Sequence, residues 1–149
     1  MLTILVKAVL VAVLPISSVT PGALNPAVTQ SNIRTTICTS GYTATIRPSA
    51  TYTTGLKRWQ LANTYKSFAN KNLGAYEEDH LISLELGGNP IDPKNLWPQP
   101  YLGVGAHVKD QTENKLHALV CSNKMTLTMA QKLISTNWYI AYQQYVAKK

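Results

Sequence analysis

Hydrophobic positions change their pattern three times along this 149-residue chain. An apolar run from Ala8 to Leu14 follows Lys7, and small and polar residues replace it between Ser17 and Ala23. In the middle, Leu81-Ile82-Ser83-Leu84-Glu85-Leu86 leads into the turn residues Gly87-Gly88-Asn89-Pro90. Toward the end apolar residues recur at helical spacing. Val108, Leu116, Leu119 and Val120 take one broad side of a helix over 106–121, with Asp110, Glu113 and His117 as a polar stripe at i, i+3 and i+7. Thr128 and Gln131 fit a capping box that starts another helix. Asn137 is placed to cap a last one, in which Trp138, Tyr139, Tyr142 and Tyr145 form a packed end of the core.

The stretches between are read from their turn and β-branched residues. Residues 24–35 are polar and form a loose leader. Residues 36–54, dense in Thr and Ile and interrupted by Gly41 and Pro48, predict short extended pieces, with Pro48 excluding a helix at its own position. Apolar positions about three apart predict a helix over 56–69, stopped by the turn residues of 70–74. Lys57, Arg58 and Lys66 lie off its apolar side, as a solvated face or as a surface tracking a nucleic-acid backbone. Arg47 is a phosphate contact or a surface ion-pair partner. A flexible connector over 101–105 precedes the long helix.

The opening run has the charged, apolar and small-residue order of a secretory signal, and it is short of the roughly 20 residues that span a bilayer. Residues 1–23 are therefore expected to be removed, leaving a leader (24–35), one domain (36–149) and no stable membrane insertion; a retained anchor is the alternative. Loss of Lys7 takes the net charge from +7 to +6. Four of the seven acids, Glu77, Glu78, Asp79 and Glu85, lie between residues 77 and 85. A basic body with an acidic knot suits a polyanion around a cation site. Cys38 and Cys121 have no zinc-knuckle spacing and, in an exported chain, are expected to form a disulfide; two free buried thiols fit only a chain that is not exported.

Glu77-Glu78-Asp79-His80, Gly87-Gly88 and then Asn95-Leu96-Trp97-Pro98 follow one another in the order found in HNH nucleases, so this stretch resembles the ββα-metal (His-Me finger) site. The wider pattern, from Cys38-Thr39-Ser40-Gly41-Tyr42 through Lys109-Asp110-Gln111-Thr112-Glu113 to Asn137-Trp138, looks like small HNH-like bacterial proteins. The resemblance implies an α+β domain with a ββα core and further C-terminal helices. It implies His80 as general base, Asp79 beside it as metal ligand, and Asn95 tying the loop and orienting the base. Histidine suits the role because its ordinary pKa lies near neutrality. The opposing metal ligand is expected on the following helix, with Glu113 and then Asp110 favoured, His107 as rival, and Mg²⁺ or Mn²⁺ as the ion. Lys109 is expected to meet phosphate or pair with a carboxylate.

The leading expectation is a secreted or periplasmic metal-dependent endonuclease acting on DNA, with RNA as a further substrate. A second reading is an inactive HNH-like module that binds a polyanion or a protein. A third, an enzyme using Glu77, Glu78 and His80 on another substrate, suffers because adjacent strand residues rarely face one another across a substrate.

Overall fold

Two short strands, β1 (Tyr76–His80) and β2 (Leu96–Pro100), pair antiparallel, with Tyr76 opposite Pro100 and His80 opposite Leu96. They belong to a computed structural model that describes residues 11–148. Opposed residues share a face, so Glu77, Asp79, Trp97 and Gln99 lie on one side, and Glu78, His80, Leu96 and Pro98 on the other. Both strands are edges, which is why β2 accommodates two prolines that cannot donate to the ladder. Around this hairpin stand α1 (Tyr42–Ile46), α2 (Ala50–Ala62), α3 (Ala106–Cys121) and α4 (Leu127–Tyr145), an α+β arrangement.

The helix α2 packs on both strands, and α3 packs along α4. Two inward polar groups of α2 fasten it to the hairpin: Gln60 Nε2 donates to the Leu96 carbonyl at 2.8 Å and Lys57 Nζ to the Tyr76 carbonyl at 2.7 Å. Trp97, Leu116, Val120, Ile134 and Trp138 form a core fully excluded from solvent. The Cys38–Cys121 disulfide closes a separation of 83 residues and ties the N-terminal half to the end of α3.

Four expectations change. Residues 36–54 are not extended, because Ser49 caps α2 by accepting from Tyr52 N, and the helix begins at Ala50 rather than Leu56. It ends at Ala62, seven residues earlier than expected, where Asn63 leaves helical geometry. Pro48 does interrupt the helices, holding Arg47 extended between α1 and α2. Residues 24–35 are not loose: Leu24 bridges Gly88, Gln30–Thr35 forms a 3-10 helix, and Val28 and Ile33 are buried. The cap of α4 is Thr126, accepting from Met129 N, and not Thr128; Gln131 instead donates to the Leu86 carbonyl at 2.9 Å. Asn137 breaks α4 and caps its second half, accepting from Tyr139 N and Ile140 N.

Residues 1–10 of the expected signal lie outside the described residues. Residues 12–23 pack on the domain: Ala12 is buried, and wholly buried Thr20 places its hydroxyl 2.8 Å from the Tyr65 hydroxyl. Gly22 N then donates to the Lys94 carbonyl, and Asn89 N to that of Ala23. Among the described residues, no helix is long and apolar enough to cross a membrane.

Candidate active site

At the C-terminal end of β1, neighbouring side chains leave the strand in opposite directions. Asp79 reaches α3, where its Oδ2 lies 2.7 Å from Lys109 Nζ. His80 turns to the loop before β2, and its Nε2 lies 2.9 Å from the Pro90 carbonyl. A carbonyl only accepts, so Nε2 carries the proton and Nδ1 keeps the lone pair of the neutral ring. Burial is the main reason His80 is held below the ordinary histidine range, with Lys109 and Arg47 adding to it and the Pro90 carbonyl and Asp79 opposing it. The ring is thus neutral near pH 7, the form a base needs.

Asn95 holds the loop rather than the ring. Its Oδ1 accepts from Ile82 N at 3.0 Å and from Ala23 N at 3.4 Å, while its Nδ2 donates to the carbonyls of Ile82 (3.0 Å) and Asn89 (2.9 Å). The group oriented against His80 is the Pro90 carbonyl, which a residue pattern does not reveal. The apolar run before it coils into a 3-10 turn at Leu84–Leu86, and Gly87 leaves that turn with φ of 74°. A side chain at Gly88 would stand 1.7 Å from the Ile82 carbonyl oxygen, so this turn requires glycine for close approach.

Of the expected metal ligands, the fold brings Asp79 and Glu113 together. Both carboxylates engage the ammonium of Lys109, which also donates to the His80 carbonyl at 2.7 Å. Burial alone would lower the pKa of Lys109, yet Asp79 and Glu113 push it above the ordinary lysine range, so this cation is permanent. Asp110 is half exposed and faces His107, 3.6 Å from its Nδ1, and His107 stacks on Tyr101. Of the two expectations for Lys109, phosphate or a carboxylate, the structure shows the carboxylate pairing, with the side chain closed off from solvent. Its spacing of four from Glu113 is the signal that the pair shares a helix face.

Lys57 is likewise turned inward, onto Tyr76. Arg47 is exposed and borders an open polar cleft of about 270 Å³ with Ser83, Glu85, Asp110, Glu113 and Asn114. Arg58 and Lys66 border a second cleft, of about 450 Å³, with Leu61, Ala62, Lys71 and Leu73. Glu78, on the His80 face, leaves both carboxylate oxygens buried without hydrogen bonds; burial and then the Asp79 charge push it up to about 8, against the pull of Lys57. No family model, curated protein or solved structure matches the chain.

Proposed function

We propose that the protein is a metal-dependent nuclease of the HNH type, hydrolysing phosphodiesters of DNA or RNA outside the cytoplasm. The observation that carries the reading is His80: a buried, neutral imidazole at a strand end, its protonated nitrogen fixed on a backbone carbonyl and its other nitrogen left to take a proton from water. Arg47 lies near enough for its charge to act on His80 and is exposed to meet a phosphate. Arg58 and Lys66 place further positive charge at a second cleft. The disulfide fits an oxidising compartment.

Asp79 and Glu113 are the kind of oxygen donors a hard divalent cation takes, and an ion there would share them with the Lys109 ammonium. Asp79 and Glu113 converge on one positive charge, that of Lys109, and each carboxylate has a second oxygen, the donor that Mg²⁺ or Mn²⁺ prefers. Such an ion, held there, would neutralise charge on the phosphate and leaving oxygen. The chain's own groups hold the strand end in place, keep His80 neutral and receive the proton from the attacking water.

One observation favours a second reading, an inactive module that binds a polyanion. The positive charge between Asp79 and Glu113 is already supplied by Lys109.

Plasmid incubated with purified protein in Mg²⁺, Mn²⁺ or chelator separates the two. Metal-dependent nicking, lost by on the order of a hundredfold or more in His80→Ala, is the expected result. Retention of the plasmid without nicking in any metal favours the module. Because the folded pKa of His80 lies below 6.5, its neutral form survives down through that value, so the acid limb of kcat/KM should have its midpoint below pH 6.5. A limb centred higher assigns the base elsewhere.

A further inference from the structure

Beyond the proposed reaction site, the far end of α3 carries a second group of metal-binding side chains. Cys38 Sγ, Cys121 Sγ and a ring nitrogen of His117 all lie within 4.8 Å of one another. His117 and Cys121 are four apart on the helix and so adjacent on its surface, with Nε2 of His117 3.3 Å from Cys121 Sγ. The same Nε2 is 2.8 Å from the Ile37 carbonyl. On the other side of the ring, Nδ1 is 3.5 Å from Glu85 Oε2. A carboxylate behind the distal nitrogen of a histidine is the arrangement that orients histidine ligands in metal sites and raises their basicity.

We propose that the protein with this disulfide reduced binds a thiophilic divalent cation, Zn²⁺ foremost, through Cys38, His117 and Cys121, with water as fourth ligand. Two thiolates and an imidazole suit that ion, and ligand bonds of about 2.0–2.3 Å are reached once the two sulfurs, bonded here, move apart to roughly 3.7 Å, the edge of a tetrahedral site. Opening the disulfide takes two electrons and two protons from a dithiol, which is itself oxidised to a disulfide, and yields two thiols. Cation binding then releases the two thiol protons. The imidazole proton moves from Nε2 to Nδ1, where Glu85 accepts it, and Nε2 turns from the Ile37 carbonyl to the metal. The disulfide and the metal-bound state exclude each other, so the redox state of the compartment selects between two ways of tying residue 38 to the end of α3.

The test uses the full chain, reduced with dithiothreitol and freed of it without oxygen, then titrated with Co²⁺ as a coloured substitute for Zn²⁺. One equivalent should bind with a thiolate-to-cobalt absorption band in the near ultraviolet, and Zn²⁺ should abolish the band. Oxidised protein should show none, and oxygen-only binding at Asp79 and Glu113 gives no such band, so this outcome is independent of the nuclease reading. His117→Ala should weaken Co²⁺ binding by more than about tenfold, and Glu85→Gln by about tenfold. Circular dichroism on the same samples follows the fold. Unfolded reduced chain that regains helix with the band on adding Co²⁺ supports the proposal. Absence of the band in reduced protein, folded or unfolded, overturns it, as does equal affinity in reduced wild type and His117→Ala.

Discussion

The two ends of α3 use the same helix face in opposite ways. Lys109, Glu113, His117 and Cys121 follow at steps of four and form one continuous stripe. In its first half the central group is a permanent cation: the Lys109 ammonium is sealed from water and satisfied by Asp79, Glu113 and the His80 carbonyl. In its second half they are an imidazole and a sulfur, partly buried, and the sulfur is the group whose state changes with oxidation. Glu85 sits between them, on His117 and within the field of Lys109. The difference shows how burial sets the role of a polar stripe. Sealed charges must be paired permanently because an uncompensated one is prohibitive, whereas partly wetted groups are free to change state.

Breaking the second half has the largest expected effect. Replacing Cys38 and Cys121 together with Ser should lower the unfolding free energy by about 4–5 kcal/mol in the chain-entropy account of an 83-residue separation, read by urea titration of the oxidised proteins. A loss under about 1 kcal/mol would mean that packing alone holds the two halves together. Breaking the first half should cost slightly less, about 4 kcal/mol for Lys109→Met, because Asp79 and Glu113 then face each other in a dry site. Adding Glu113→Gln to Lys109→Met should recover part of that loss, and a purely additive double variant would show that the carboxylates do not share the ammonium. The join between the halves should matter least. Glu85→Gln is expected to change stability by less than about 1 kcal/mol at pH 7, since the Glu85–His117 pair is partly exposed and charged only when His117 is protonated.

Much of the hairpin was legible in advance because its residues have few other uses. Gly87-Gly88 demanded a tight turn, Asn95 a polar tie, and the acid beside His80 a site. The helices over 106–121 and beyond Asn137 followed from spacing and caps. What misled was content without context. The Thr-rich stretch over 36–54 has strand-like side chains, but Ser49 supplies a cap and the Thr residues sit at partly wetted positions, where their weak preference yields to the packing of α2 on the hairpin. Reading the polar stripe from Asp110 rather than Lys109 placed a carboxylate where the inward cation belongs. Arg58 and Lys57 show the same limit: adjacent cations look alike in a sequence, yet one faces solvent and the other caps a strand carbonyl.

The four hydrogen bonds of Asn95 restrict what can occupy its position. Its amide meets both the N–H and the carbonyl of Ile82, as a peptide group of a neighbouring strand would, and does so while its own backbone accepts from Leu81 N at 2.7 Å. Aspartate has the length but no donor for the Ile82 and Asn89 carbonyls, glutamine has the donors but one methylene too many, and histidine has the wrong fork. The position therefore has an alphabet of one letter, whereas the loop it clamps, between residues 83 and 94, can vary in its exposed residues without disturbing the clamp. A library randomised at this site would return asparagine as the solution of a geometric constraint, whether or not the protein were selected for any reaction.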